Sequence, residues 1–201
     1  PSRGLGDVYK RQLQVYSNLR GTPLDDPIFH PLYERCAELN LPIFLHPTVP
    51  SLSEAPMADY GLIPIMGFLF DTSLAAMRLI MSGTLDKFPN VRFVLPHVGS
   101  TIPYLIGRID YLTGFMPSGR DNIGGRPPSD FFKQLYFDVV SSYQPAIDYF
   151  YREYGSDHLL FGSDYPWVQI DSCVELVENL PASDEEKKKI YSENALSILK
   201  H

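Results

Sequence analysis

Five short runs of apolar residues recur along the chain. They lack the strict alternation of polar and apolar residues that marks a half-buried strand. Continuous apolar strands are typical of a parallel sheet that is covered on both faces. The predicted strands are LQVYS (13–17), PIFLHP (42–47), RFVLPHVG (92–99), LYFDVVSS (135–142) and HLLFGSD (158–164).

Segments with helical periodicity lie between and after these strands, at 26–40, 70–89, 145–155 and 183–200. Asp26 is a candidate N-cap before Pro27, and Ser183 with Glu186 forms a candidate capping box. The predicted core-facing positions are Ile28, Leu32, Cys36 and Leu39 in the first segment and Leu74, Met77 and Ile80 in the second. Alternation of strands and helices indicates an α/β fold with right-handed parallel crossovers.

Two segments, 48–70 and 111–132, are too long for plain connections and are rich in proline, glycine and aromatic residues. The first directly follows a predicted strand. Loops at that position carry the active sites of α/β barrels.

Three polar residues stand at the C-terminal ends of predicted strands: His46, His97 and Asp164. Taken singly, each has an ordinary explanation, since either histidine can end a strand on a backbone carbonyl and the aspartate can cap a turn. In a β/α barrel, however, these strand ends face one mouth, where residues distant in sequence converge. His158 begins its strand at the opposite end, and we expect it to be structural.

Imidazole and carboxylate together suit a divalent metal, zinc first and manganese next. A catalytic zinc site typically has about three protein ligands, so one histidine and one aspartate are too few. Either no metal binds, or further ligands are missing from this chain. The sequence contains no Cys-x-x-Cys, His-Glu-x-x-His, His-x-His or Gly-x-Ser-x-Gly motif.

The composition and net charge of the chain indicate which classes of protein and partner to expect. The chain has 201 residues, of which 44% are hydrophobic, enough for one full-sized core. A net charge of −7 argues against nucleic acid as a partner. No run of about 18 apolar residues is present, so we expect no transmembrane helix. The two cysteines favour a reducing compartment, and we expect a cytoplasmic protein.

The first twelve residues, PSRGLGDVYKRQ, show neither periodicity nor capping signals. DVYKRQ can be encoded by a nucleotide sequence that resembles the transposase ends of sequencing adapters. We therefore expect residues 1–12 to be a non-native segment and 13–201 to be a partial domain. The alternative is a disordered natural N-terminus.

Several motifs, in register and in order, resemble the amidohydrolase-related proteins of the aminocarboxymuconate-semialdehyde decarboxylase type. The likeness runs from residue 13 to about residue 200. The motifs are GTPLDDPIFHPLYERCAELNLPIFLHPT (21–48), SGTLDKFPNVRFVLPHVGSTIPYLIGRID (82–110), LYFDVVSS (135–142), GSDHLLFGSDYPW (155–167) and KIYSENALSIL (189–199).

The resemblance implies a (β/α)8 TIM barrel with a mononuclear divalent metal. It assigns His46 and Asp164 as metal ligands, His97 as the acid/base with Asp164 as its proton partner, and Arg108 as a contact for a substrate carboxylate across a subunit interface. A salt bridge on the helix surface is an equal alternative for Arg108. The paired first-strand motif of the family, Glu-x-His or His-x-His, has no match here. We therefore expect the C-terminal portion of the barrel, about strands 4–8.

The intact protein implied by this resemblance is a metal-dependent decarboxylase of a small carboxylated, aromatic-derived substrate. We expect it to form a homo-oligomer, since the resemblance places Arg108 at a subunit interface. A hydrolase of the same family is the first alternative, and a catalytically inactive fragment is the second. Phe68, Phe70 and Trp167 are predicted to wall the substrate ring, with packing in the core as the alternative for these aromatic residues.

Overall fold

A computed structural model describes residues 11–49, 57–116 and 119–199. The strands are β1 (Leu13–Tyr16), β2 (Asn18–Leu19), β3 (Thr22–Pro23), β4 (Ile43–His46), β5 (Phe93–Leu95), β6 (Tyr136–Asp138) and β7 (Leu159–Leu160). The main sheet is parallel and has five strands in the order β1-β4-β5-β6-β7, while β2 and β3 form a small antiparallel pair. All five predicted strands are therefore confirmed.

Helices cross over between consecutive strands of the sheet, as the α/β pattern predicted. They are α1 (His30–Glu38), α2 (Phe68–Met81), α3 (Thr84–Lys87), α4 (Ile102–Thr113), α5 (Pro128–Phe132), α6 (Gln144–Tyr154), α7 (Ile170–Glu178), α8 (Asp184–Lys188) and α9 (Asn194–Leu199). Short 3-10 turns occur at Pro27–Phe29, Asp59–Gly61 and Asp121–Ile123, and π turns occur at Ile63–Gly67 and Lys189–Glu193.

The sheet is open on both sides within the described part of the chain. There β1 pairs only with β4, and β7 pairs only with β6. The strands β5 and β7 are buried throughout, whereas β1 and β4 alternate between buried and more exposed residues. This arrangement is a partial barrel, in agreement with the predicted fold class.

The first helical segment begins as predicted, but its buried face differs. The Asp26 carboxylate accepts a hydrogen bond from the backbone N–H of Ile28 at 2.9 Å. Ile28 is nevertheless 71% exposed, and the buried positions of α1 are Tyr33 and Cys36. The prediction was wrong at Ile28 because the Pro27–Phe29 turn has three residues per turn, so the 3.6-residue period starts only at α1. It was also wrong at Leu39, which follows the end of α1 and is 41% exposed.

The second helical segment is divided in two at Gly83. Its φ is +78°, and a Cβ there would lie 2.6 Å from the Asn122 carbonyl oxygen, so only glycine fits without a shift. The predicted stripe is also wrong at Leu74, which is 52% exposed. The buried side of α2 is formed by Asp71, Thr72, Ser73, Ala75, Ala76, Leu79 and Ile80.

The predicted capping box at the start of α8 is confirmed. The Ser183 hydroxyl accepts a hydrogen bond from the Glu186 N–H at 3.3 Å, and the Glu186 carboxylate accepts one from the Ser183 N–H at 2.8 Å. The π turn at Lys189–Glu193 then separates α8 from α9, which the sequence pattern had presented as one helix.

Asn194 at the start of α9 holds this C-terminal helix to the sheet. Its buried side-chain amide donates hydrogen bonds to the carbonyl oxygens of Ser156 and Leu159, both at 2.7 Å. Both carbonyls lose their donor if the amide is removed, and an unpaired buried polar group costs about 1–3 kcal/mol.

We therefore expect Asn194→Ala to lower the free energy of unfolding by about 2 kcal/mol in a urea titration. Asn122→Ala is the matched control, because that side-chain amide also donates to a carbonyl, of Met81 at 3.1 Å, but on the surface. Equal losses for the two variants would contradict the anchoring role of Asn194.

The stretch Asp59–Met81 meets the length and hydropathy criteria for a membrane-spanning helix, with a mean hydropathy of 1.5. In the most apolar 18 residues of this stretch, 44% are buried inside the protein. A core helix passes the same test, so this feature alone is weak evidence for membrane contact. The expectation that the chain has no transmembrane helix therefore stays a prediction.

Candidate metal and acid–base site

The three polar residues predicted to converge line one cavity at the C-terminal edge of the sheet. His46 ends β4, His97 follows β5 and Asp164 follows β7. The cavity has a volume of about 570 Å³, and all three side chains contribute to its wall. The parallel sheet brings these residues together because all of its strands end at the same edge.

His46 presents one ring nitrogen for a ligand. Its Nδ1 lies 2.7 Å from the Pro47 carbonyl oxygen, which accepts a hydrogen bond, so Nδ1 carries the proton. The lone pair is then on Nε2. The edge of the ring is packed against Tyr16, with 5.6 Å between centroids. The ordinary explanation for His46, a hydrogen bond to a backbone carbonyl, therefore applies. The same hydrogen bond from Nδ1 to the Pro47 carbonyl leaves Nε2 unprotonated, as in many histidines that bind a metal.

His97 lies in a loop of unusual backbone conformation. His97, Val98, Gly99 and Ser100 all have positive φ, at +58°, +53°, +75° and +58°. The left-handed region costs a non-glycine residue about 1–2 kcal/mol, and β-branched Val98 is least suited to it. A Cβ on Gly99 would meet the Phe132 ring at 3.0 Å, so glycine lets the loop approach the core.

The imidazole of His97 is largely removed from solvent. Burial lowers its pKa; the negative charge of Asp164 raises it in part, and His46 lowers it further. Within the described part of the chain, the buried Nδ1 of His97 has no hydrogen-bond partner. A neutral imidazole in the wall of a cavity is suited to exchanging protons with a bound molecule.

Asp164 is not a side-chain turn cap, which was the ordinary explanation for it. The turn is closed by its backbone carbonyl, which accepts a hydrogen bond from the Trp167 N–H at 2.9 Å. Its own φ is +53°. The Asp164 carboxylate makes no hydrogen bond or ion pair with the residues that the structure describes. It therefore has open coordination positions in the cavity wall.

Asp138 is a site residue that the sequence analysis missed. It ends β6 and lines the same cavity. Its Oδ1 accepts hydrogen bonds from the backbone N–H groups of His97 at 2.8 Å and Val140 at 3.0 Å. Burial raises the pKa of this carboxyl to about 7, while the backbone N–H groups act in the opposite direction. Its position at a strand end was the available signal.

Asp71 is a second carboxylate that the sequence did not single out. It is buried on α2 and accepts hydrogen bonds from the Ser17 hydroxyl and, at 3.1 Å, from the Thr48 N–H. The Ser17 N–H donates in turn to the His46 carbonyl at 2.9 Å. These contacts hold together the C-terminal ends of β1 and β4, from which His46 projects.

The predicted substrate-binding residues differ in their placement. Phe68 and Trp167 line the cavity, although Trp167 is 85% exposed. Phe70 and Arg108 are not among its lining residues. Arg108 lies exposed on α4. Arg108 therefore does not line this cavity in its own chain, and its role across a subunit interface stays a prediction.

The donor set for a metal ion is incomplete in this structure. Over 11–49, 57–116 and 119–199, no group of three or more His, Cys, Asp or Glu side chains is arranged to hold a metal. His46 and Asp164 supply two candidate ligands, and a catalytic site typically has about three. The described residues alone therefore do not fit a complete metal centre.

The electrostatic coupling of Asp164 to His97 leads to a prediction. The negative charge of Asp164 favours the imidazolium form, so Asp164→Asn is expected to lower the pKa of His97 further below its usual value. A titration of the His97 ring protons by NMR measures this shift. Asp110→Asn, a change on α4 away from the cavity, is expected to leave the titration unaltered, and an upward shift in Asp164→Asn would contradict the coupling.

Comparison with known proteins agrees with this architecture. A family model described as amidohydrolase matches residues 11–200. Among curated proteins, gamma-resorcylate decarboxylase from Polaromonas sp. is 32% identical over 178 residues, covering 86% of this chain and 54% of that protein. The 2-amino-3-carboxymuconate-6-semialdehyde decarboxylase of Dictyostelium discoideum is 27% identical over 189 residues, covering 93% and 52%.

Solved structures of decarboxylases share the fold. The 5-carboxyvanillate decarboxylase from Sphingomonas paucimobilis has a TM-score of 0.84 at 28% identity, covering 94% of this chain and 58% of that one. A dihydroxybenzoic acid decarboxylase from Polaromonas sp., solved with bound manganese and the inhibitor 2-nitroresorcinol, has a TM-score of 0.79 at 28% identity, covering 90% and 56%.

The chain spans about half the length of the curated relatives it matches. The resemblance to the aminocarboxymuconate-semialdehyde decarboxylase type is confirmed, since such an enzyme is among these relatives. With the family model matching nearly the whole chain and the parallel strands ending at one cavity, this protein belongs to the amidohydrolase family.

Proposed function

We propose that the intact protein is a metal-dependent decarboxylase of a small carboxylated aromatic compound. The observation that carries this proposal is the convergence of His46, His97 and Asp164 on one cavity of about 570 Å³. The decarboxylases among its relatives and structural neighbours support the reaction class and the aromatic substrate.

In this proposal His97 is the general acid–base group that transfers the proton. In decarboxylation the bond between the ring carbon and the carboxylate breaks, carbon dioxide leaves and a proton takes its place on the carbon. The imidazole accepts a proton from solvent before the bond breaks and delivers it to that carbon, which retains the electron pair of the broken bond. Asp164 stabilises the charged imidazolium in between. Burial of His97 keeps competing water away from this transfer.

A divalent metal is part of the proposal, with manganese or zinc as the ion. The support is a manganese-containing structural neighbour and the free ligand positions on His46 and Asp164. These two residues do not complete a centre, so ligands from outside the described residues are required. Phe68 and Trp167 are proposed to contact the substrate ring, since both line the cavity.

An inactive chain is the second candidate. The open sheet edges and the two-ligand site favour it, because an incomplete centre holds metal poorly. Under this reading, the 201-residue chain binds much less than one equivalent of manganese or zinc after dialysis. Near-stoichiometric metal with micromolar or better affinity would contradict the inactive reading.

The reaction class is tested by carbon dioxide release from hydroxylated benzoates such as 2,6-dihydroxybenzoate, using a protein that contains the whole barrel. Release of carbon dioxide supports the decarboxylase. Turnover of ester or amide analogues without carbon dioxide would instead support a hydrolase of the same family, with His97 taking a proton from water.

A homo-oligomer in the cytoplasm is also proposed for the intact protein. Arg108 lies on an exposed face of α4 that also carries Tyr104 and Tyr111, which are 58% and 66% exposed, and Phe115, two residues after the helix, is 72% exposed. Such a face favours contact with a second copy, in which Arg108 would reach a substrate carboxylate. No nucleic acid or membrane partner is proposed.

A further inference from the structure

The loop that carries His97 is held at both of its ends by side chains from other elements. At its far end, the Ser73 hydroxyl of α2 accepts a hydrogen bond from the Thr101 N–H at 3.0 Å. At its near end, the Asp138 carboxyl of β6 accepts one from the His97 N–H at 2.8 Å. Between them lie four successive residues in the left-handed region.

Asp138 is placed to hold the loop and its own strand together. The same oxygen, Oδ1, accepts both the His97 N–H and the Val140 N–H, the latter at 3.0 Å. In the described part of the chain this carboxyl has no ion pair with a lysine or arginine. Its partners are backbone N–H groups, so its observed contacts serve the conformation of the chain around His97.

We propose that Asp138 is a positioning residue for His97, because its carboxyl oxygen holds the His97 backbone N–H and thereby keeps the strained loop in the conformation that directs the imidazole into the cavity. Without this acceptor, the backbone of Val98 lowers its conformational energy by returning to a negative φ. The imidazole then moves toward solvent, and its buried Nδ1 is free to bind water.

This proposal rests on the proposed function only for the role of His97 in proton transfer. The position of the imidazole can be measured in the 201-residue chain without substrate or metal. A protein without decarboxylase activity would therefore leave the positioning role open to test, and a failed positioning test would leave the reaction class untouched.

The experiment compares Asp138→Ala with Asp138→Asn by NMR. Alanine removes the acceptor, whereas asparagine retains a carbonyl oxygen at the same place. In Asp138→Ala, exchange of the His97 amide hydrogen is expected to accelerate at least about tenfold, and the His97 ring resonances are expected to move toward those of an exposed histidine. In Asp138→Asn, exchange is expected to stay within about threefold of the unmodified chain.

Two references separate this effect from a general loss of stability. The Ile43 amide, which donates to the Arg92 carbonyl at 2.8 Å, reports on opening of the sheet. Asp110→Ala is the matched control variant, because the Asp110 carboxylate also accepts a backbone N–H, from Ser129 at 3.0 Å. This control is expected to leave the His97 ring resonances unchanged.

A measurement on the unmodified chain keeps the test decisive if Asp138→Ala does not fold. A scalar coupling across the hydrogen bond is expected between the His97 amide nitrogen and the Asp138 side-chain carboxyl carbon. Absence of this coupling would overturn the proposal. So would a folded Asp138→Ala with His97 exchange within about twofold of the unmodified chain, or equal effects of alanine and asparagine.

Discussion

Replacing His97 with alanine is expected to lower decarboxylation by about 10²–10⁴-fold in a protein that contains the whole barrel, since that is the usual contribution of a general acid–base group. His97 is the partly buried imidazole in the wall of the cavity, and burial lowers its pKa, which favours the neutral form that can accept a proton. The measurement is the rate of carbon dioxide release at saturating and at limiting substrate.

The control for this prediction is His30→Ala. His30 begins α1 and its Nδ1 lies 2.9 Å from the Lys87 amino group, so it is remote from the cavity lining. Its replacement is expected to change the rate by less than about threefold, because surface substitutions away from a site are close to neutral. If His97→Ala behaved like His30→Ala, the assignment of the acid–base group would be wrong.

Phe137→Ala is expected to lower the free energy of unfolding by about 3–5 kcal/mol, the usual cost of removing a buried phenylalanine. Phe137 lies in the middle of β6 and is 1% exposed. Its ring is 4.9 Å from that of Phe132 and 4.8 Å from that of Phe150, so the cavity left behind is bordered by two aromatic side chains. Urea denaturation followed by circular dichroism measures the loss.

Phe115→Ala provides the comparison for this prediction. Phe115 is 72% exposed and contacts Tyr111 at the end of α4. Its replacement is expected to cost less than about 1 kcal/mol, because little apolar area leaves a buried environment. A loss below that value for Phe137→Ala would show that the core is not built around β6.

The positions of the strands and of three site residues followed from local sequence patterns. Apolar runs predict strands because a strand buried on both faces tolerates few polar residues. His46, His97 and Asp164 were recognised because each interrupts such a run at its C-terminal end. The shared edge of a parallel sheet then predicts that they meet, and all three line the same cavity.

The same rule could have found Asp138, which also ends an apolar run in LYFDVV. It was overlooked because an aspartate followed by two valines does not show what it binds. Its partners, the backbone N–H groups of His97 and Val140, are invisible in a sequence, since backbone groups are common to all residues. The strand-end rule can therefore point to Asp138, but only the three-dimensional placement shows what its carboxyl binds.

Errors in the helices have a local cause. Ile28 and Leu74 satisfy a 3.6-residue period, yet both are exposed. Ile28 lies in a 3-10 turn, whose three-residue period differs from that of the α-helix that follows. Leu74 lies on a helix whose buried side is formed largely by small and polar residues, so its apolar stripe does not mark the buried face. Periodicity therefore predicts a helix better than it predicts the buried face of that helix.

The sequence by itself determined the five strands of the main sheet, the α/β class and the three polar residues at the strand ends, because these depend on short-range patterns of burial and capping. Two of the longer helices, α4 and α7, were not predicted. The tertiary structure decided what those residues contact: the carbonyl that sets the tautomer of His46, the burial that keeps His97 neutral, and the carboxyl of Asp138 that holds the His97 loop. Such contacts join residues tens of positions apart, and their distances are set by how the strands pair and the helices pack.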